Sequence, residues 1–219
     1  MKTAYFPAHY RLADKLGWLA LRAFCIGVLL FLLIGNPRLP RKRRRKQDQI
    51  NAALHEIGEE LDFGTLRPNA PKWFTSLVTL NRNLGAMPLS GDNSAHLTHD
   101  YQESLDAMAD SIRQAKKYVH VEFYILQSDA STDNFFSALE EVAARGVTVR
   151  VLMDHWANRG KPFYKKTLRR LDAMGAIWHL MLPVQPFKGK YQRPDLRNHR
   201  KLLVVDGAVA YTGSQNVTA

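Results

Sequence analysis

The hydrophobic pattern divides the chain into stretches of different periodicity. Residues 16–35 read LGWLALRAFCIGVLLFLLIG, about twenty positions with Arg22 as the single charge, which is the length a helix needs to cross a bilayer. Arg22 lies near the beginning, from where a long side chain reaches back to headgroups. Further on, Tyr101, Leu105, Met108, Ile112 and Ala115 recur at helical spacing. That predicts an amphipathic helix over 98–116 with its apolar stripe on a sheet. Val119, Val121, Phe123 and Ile125 then alternate with His120, Glu122 and Tyr124, a strand over 118–126. Its polar face either borders a site or is covered and satisfied locally.

The alternation continues. Asp129, Ser131 and Thr132 offer caps for a helix through Phe135, Phe136, Leu139 and Val142 that stops at Gly146. Residues 147–153 form a β-branched run suited to a buried parallel strand. Asp154-His155-Trp156 follows at its C-terminal end, where open α/β sheets bind ligands, although His155 reads first as a satisfied structural histidine. A helix over 161–174, closed by Gly175, leads to a strand at 176–181. Strands separated by helices imply parallel pairing with right-handed crossovers, hence a layered α/β domain. Between 36 and 95 the pattern is weaker: a basic run RKRRRK at 41–46, modest helical character over 47–62, and an irregular connector to about 93 with Pro68, Pro71 and Pro88. Trp73 and Phe74 in that connector either sit at a membrane interface or pack on the domain, and packing is the favoured reading.

The last stretch carries the chemistry. RNHRKLLVVDGAVAYTGSQN reads as a hairpin turning at Asp206-Gly207, a pair that tolerates positive φ. A two-residue turn sets Val205 opposite Ala208, Lys201 opposite Thr212 and His199 opposite Ser214. His199, Lys201, Thr212, Ser214 and Asn216 would then share one sheet face. An imidazole, an ammonium, two hydroxyls and an amide make a poor core and a good phosphate cradle. Asp206 is at the turn, roughly 23 Å along the strand from His199 at ~3.3 Å per residue. Geometry alone assigns it to bonding backbone amides near the turn. The loop 182–198, with Pro183, Pro186, Lys188, Lys190, Arg193, Pro194 and Arg197, adds positive charge beside His199 or is simply solvated.

Composition narrows the partner. The 219 residues carry a formal net charge of +11, which implies an anionic partner, either nucleic acid or an acidic lipid surface. Cys25 is the sole cysteine, so an intramolecular disulfide and a cysteine-built metal site are excluded. A signal peptide has a shorter apolar core ending in small residues, whereas this run ends in Asn36-Pro37-Arg38-Leu39-Pro40 and the basic cluster, a stop-transfer pattern. The cluster outweighs Lys2, Arg11 and Lys15 on the other flank, which places the C-terminal part in the cytoplasm of a plasma-membrane protein. Beside a spanning helix, such a cluster is expected to contact anionic lipid.

The spacing His-x-Lys-x4-Asp at His199, Lys201 and Asp206, with Gly213-Ser214-x-Asn216 six residues on, resembles the signature of the phospholipase D superfamily. Its flanks are similar to the first such motif of bacterial cardiolipin synthases, and Gly85-Ala86-Met87-Pro88-Leu89 resembles the entry to their catalytic region. The resemblance implies a phospholipase D-like layered α/β fold over 96–219, one half of a catalytic pair, preceded by a flank at 1–15, a transmembrane helix at 16–35 and a connector at 36–95. It implies a phosphohistidine on the motif histidine, phosphate held by Lys201, Ser214 and Asn216 with Thr212 beside them, and neither cofactor nor metal. Asp206 enters the catalytic set only through the motif. The implied activity is phosphatidyl transfer between two phosphatidylglycerol molecules. Only one motif is present, while in-line displacement needs groups on both sides of phosphorus. A second motif is therefore expected from a longer chain or a dimer mate. The alternatives are a one-motif dimeric phosphodiesterase acting on lipid or nucleic acid, against which the spanning helix argues for nucleic acid, and an inactive truncated membrane protein.

Overall fold

The computed structural model describes residues 8–34, 41–60, 70–85, 89, 91, 93–185 and 197–219. The chain divides into two compact units, Met1–Ala95 and His96–Ala219.

The first unit contains α1 (Ala8–Ile34), α2 (Arg41–Glu60) and α3 (Lys72–Gly85). The apolar run is helical in α1. Its described side chains, 14–31, include Asp14, Lys15 and Arg22, and among the described residues no helix is long and apolar enough to cross a membrane. The stop-transfer prolines and the end of the 16–35 run lie outside the described side chains, as do Pro68, Met87, Pro88 and residues 186–196 of the basic loop. Helix α2 begins inside the basic cluster, six residues before the start read from the sequence. Helix α3 overturns the reading of an irregular connector. Pro71, read as a breaker, instead starts the helix, and its carbonyl accepts from the amides of Phe74 and Thr75. Proline is tolerated at a helix entrance because the first amides lack intrahelical partners anyway. The Ser, Thr and Asn content that masked α3 is accommodated because Ser76 and Thr79 hydroxyls bond carbonyls four residues back.

In the second unit the order is α4 (Tyr101–Arg113), β1 (Tyr118–Phe123), α5 (Asp133–Ala144), β2 (Thr148–Asp154), α6 (His155–Arg159), α7 (Tyr164–Ala173), β3 (Ile177–Met181), β4 (Lys201–Val205) and β5 (Val209–Thr212). The sheet order is β3-β2-β1-β4-β5. The three helix-linked strands are parallel, and the hairpin is added antiparallel on the far side of β1. Gly146 and Gly175, both at positive φ, close α5 and α7 where the pattern placed the stops. The apolar face of β1 (Val119, Val121, Phe123) joins Val149, Val151 and Met153 of β2 and Leu203 and Val205 of β4 in one core. Against it pack Leu105, Met108 and Ile112 of α4, Phe135, Phe136, Leu139 and Val142 of α5, and Leu171 of α7. The opposite face, with His120, Glu122, Arg150, Leu152 and Ile177, is exposed to half-buried, so the unit is helical on one side only.

The hairpin differs from expectation by one residue. Asp206 and Gly207 take positive φ, 54° and 72°, as their types allow. Ala208 also belongs to the turn, and the pairs are Val205 with Val209, Leu203 with Tyr211 and Leu202 with Thr212. A one-residue slip exchanges faces. The observed register puts Tyr211 on the core side, where its hydroxyl meets Ser111 Oγ and donates to the carbonyl of Ala107 on α4. The expected register would have put Thr212 there.

Asp206 fastens the turn to the start of β1. Its carboxylate accepts from the amides of Lys116, Lys117 and Tyr118 at 2.7, 2.9 and 2.8 Å, and its own amide donates to the Tyr118 carbonyl. These amides, led by that of Tyr118, hold the Asp206 carboxyl below its ordinary value. A depressed carboxylate pKa stabilises the fold above its unfolded value and loses that contribution as pH falls through the folded one. Asp206→Asn is therefore expected to melt below wild type at neutral pH, with the gap closing in acid, in thermal unfolding followed by circular dichroism. Gly207→Ala should also lower the melting temperature, since a Cβ there would lie 2.8 Å from the Tyr118 hydroxyl at a φ that disfavours side chains.

Candidate active site

Strands β1 and β2 end where β4 begins, because Phe123 pairs with Lys201 across the antiparallel ladder. The residues just beyond those strand ends therefore gather on one rim of the sheet. His199 stacks on Tyr124 with ring centroids 4.0 Å apart and planes 22° from parallel. Lys201 Nζ donates to the His199 carbonyl at 2.8 Å and sits 5.5 Å from the centroid of the same tyrosine ring. Imidazole and ammonium thus share one aromatic platform, which fixes both near each other without consuming the ring nitrogens of His199. Exposed as it is, that imidazole is accessible to a substrate.

Asn216 reaches the rim by a different route. After β5 the chain runs back alongside the exit of β1, where Leu126 and Val217 form a parallel bridge. Asn216 Oδ1 accepts from the Ile125 amide at 3.1 Å. With its carbonyl so used, Asn216 offers an anion its NH2, the donor polarity a phosphate oxygen needs. Ser214 is exposed on the same segment. Thr212 pairs with Leu202 and falls, by strand alternation, on the face opposite Lys201, so it does not join the expected cluster. Asp206 is at the far end of β4, engaged with the start of β1, and the structure does not bring it to the rim.

Several contacts at the rim do not follow from the sequence even where the residues do, Arg197 belonging to the basic loop and Asp154 to the end of a strand. Asn198 Nδ2 donates to Glu122 Oε1 at 2.6 Å, tying the segment before β4 to the polar face of β1. Arg197 Nη1 reaches the carbonyl of Leu182 at 2.7 Å and Asp154 Oδ2 at 3.4 Å, a buried pair at the end of β2. Asp154 also caps α6 through the Ala157 amide. The adjacency of Asn198 to His199 in sequence was the available signal for it. The Arg197–Asp154 pair joins positions 43 residues apart and had none. His155 is buried, with Nδ1 accepting from the Val184 amide. Burial first, then the neighbouring Arg159, holds it below the ordinary imidazole value, and it is the structural histidine the sequence suggested.

The rim is held from beneath by a buried polar network. Asn158 Nδ2 donates to the carbonyls of Tyr124 and Asp154, and its Oδ1 accepts from the Leu126 amide and Gln127 Nε2. Gln127 in turn accepts from the Phe163 amide, while Thr167 and Thr132 hydroxyls receive the amides of Ser128 and Asp129. The backbone on either side of Tyr124 and Ile125 is thereby fixed, and with it the tyrosine platform and the amide that Asn216 binds.

With this geometry in view, the chain matches a family model described as the PLD-like domain of cardiolipin synthase, over residues 108–219. It is 30% identical over 201 residues to a cardiolipin synthase of Oceanobacillus iheyensis, covering 88% of this chain and 40% of that protein. It is 29% identical over 211 residues to one of Listeria monocytogenes serotype 4b (strain F2365), covering 91% of this chain and 42% of that protein. The chain thus spans about two fifths of the length of the relatives it matches. Among solved structures it is similar to NucT from Helicobacter pylori, at 20% identity over 53% of this chain and 69% of that chain, with a TM-score of 0.42.

Removing Asn158 should loosen the whole rim. Asn158→Ala leaves two carbonyls and an amide of the β1 and β2 exits without their buried partner, a cost of about 3 kcal/mol or more, measurable by chemical unfolding. Asp154→Ala, which strips the α6 cap and removes the carboxylate from beside the buried Arg197, is expected to cost on the order of 3 kcal/mol.

Proposed function

Since this chain belongs to the family of cardiolipin synthase PLD-like domains, we propose that it provides the first half of the active site of a membrane-bound phosphatidyltransferase that makes cardiolipin from phosphatidylglycerol. The observation that carries the proposal is the grouping of His199, Lys201 and Asn216 at one rim of the sheet, with the imidazole exposed and the two donors beside it.

In this reading a His199 nitrogen attacks the phosphorus of one phosphatidylglycerol, forming an N–P bond as the bond to the headgroup glycerol oxygen breaks. The departing alkoxide takes a proton and leaves as glycerol. The hydroxyl of a second phosphatidylglycerol then attacks phosphorus, loses its proton and displaces His199, giving cardiolipin. Lys201 and the Asn216 amide, with Ser214, oppose the charge that builds on the phosphate oxygens. Thr212 and Asp206 take no chemical part: the first faces the other way, and the second works as a fastener.

In-line displacement needs an acid or base opposite the nucleophile. The sequence supplies one such motif, so in this proposal the second group comes from another half-site, in a longer chain or a dimer mate. The 16–35 run crosses the plasma membrane in this proposal, with the 41–46 cluster on the cytoplasmic side. That part of the reading rests on the sequence pattern.

Purified chain, combined with a segment bearing a second His-x-Lys-x4-Asp motif, should form cardiolipin in phosphatidylglycerol vesicles and release glycerol in equal amount. His199→Ala should lower that rate on the order of a thousand-fold or more. Wild type quenched during turnover should carry an acid-labile phosphatidyl group on histidine, detected by mass spectrometry. Absence of cardiolipin from the complemented protein would overturn the proposal, and cleavage of DNA abolished by His199→Ala would replace it with a nuclease.

A further inference from the structure

Helix α3 presents an apolar stripe that its own unit leaves uncovered. Trp73, Leu77, Leu80 and Leu84 fall at helical spacing along one side and are 68%, 59%, 56% and 79% exposed. Adjacent to them Phe74 and Val78 are half-buried, and Phe74 meets Trp73 edge-on at 5.7 Å. The neighbouring side is mostly polar, where Lys72, Thr75, Ser76, Thr79 and Asn83, with Leu80 of the row at its edge, line a shallow groove. Its hydroxyls are turned back onto the helix: Thr75 bonds the Pro71 carbonyl, Ser76 that of Lys72 and Thr79 that of Thr75. The helix is therefore two-sided, with a row of four large exposed side chains, one a tryptophan, that meets the polar groove at Leu80.

Charge identifies the occupant of that stripe. From Gly64 to Gly91 the sequence contains Arg67, Lys72 and Arg82 and no aspartate or glutamate. An anionic bilayer surface gains from the apolar row and from the excess of basic over acidic residues at once. Apolar residues enter the headgroup boundary, tryptophan prefers that depth, and basic groups meet lipid phosphates.

We propose that α3 lies in the plane of an anionic membrane surface, its Trp73–Leu77–Leu80–Leu84 row immersed and its threonine and serine side facing water. This contact is separate from any spanning by α1 and does not depend on the catalytic reading.

The test uses the full chain with Cys25→Ser and a single introduced cysteine carrying an environment-sensitive fluorophore, at Leu77→Cys or Leu84→Cys on the apolar row and at Thr79→Cys on the polar side. The chain is reconstituted into vesicles of phosphatidylcholine with phosphatidylglycerol or of phosphatidylcholine alone. In the anionic vesicles the probes at 77 and 84 should shift to the blue and lose accessibility to a water-soluble quencher several-fold, while the probe at 79 remains accessible. Replacing Lys72 and Arg82 by glutamine should return the probes at 77 and 84 toward the exposed state without moving the probe at 79. Equal accessibility on both sides of the helix in anionic vesicles would overturn the proposal. So would protection at 77 and 84 that is already complete without lipid, which would assign the row to a protein contact.

Discussion

The candidate site depends on how the chain leaves β1. After Phe123 the backbone departs from the ladder, and its carbonyls and amides enter the interior between α6, α7 and the C-terminal segment, where none can remain unpaired cheaply. Asn158 resolves most of this with one side chain, bonding Tyr124, Leu126, Gln127 and Asp154 together. A carboxamide suits the position because it donates and accepts in fixed opposite directions. Tyr124 and Ile125 are held as a result, and these two residues give His199 its stacking surface and Asn216 its anchor. The chemistry at the rim is thus only as well placed as a buried network some way below it.

A second constraint operates at the other end of β4. The hairpin lies at the edge of the sheet, and its outer strand β5 packs on α4 mainly through Tyr211. Asp206 compensates by holding the turn to three consecutive amides at the start of β1. The aspartate that completes the motif in sequence therefore supports the histidine and lysine from a distance, by fixing the register and position of the strand that bears them. Motif membership and chemical participation are separate properties.

The helix–strand alternation was legible because each amphipathic element buries one face against a common core. Leu105, Met108 and Ile112 face it at helical spacing, and Val119, Val121 and Phe123 at strand spacing. Helix α3 was not legible for the converse reason. With Trp73, Leu77, Leu80 and Leu84 exposed, no core imposed a pattern that outweighed Pro71 and the run of Ser, Thr and Asn. Trp73 is 68% exposed and Phe74 half-buried. The hairpin was read correctly in its strands and turn pair but one residue out in pairing, since a turn sequence bounds the register and the neighbouring helix selects it.

By itself the sequence determined which residues form the candidate motif and their place at the start of a strand, because His199 and Lys201 sit two residues apart and strand geometry is local. It also determined which strands are parallel, through the crossover helices. Only the tertiary structure decided which polar residues meet. Thr212 was turned away by the demand of α4 for Tyr211. Asp206 was claimed by amides some ninety positions earlier in the chain. Tyr124 was brought under the imidazole by the bend that Asn158 stabilises. Each of these depends on contacts between segments far apart in sequence, and local periodicity carries no record of them.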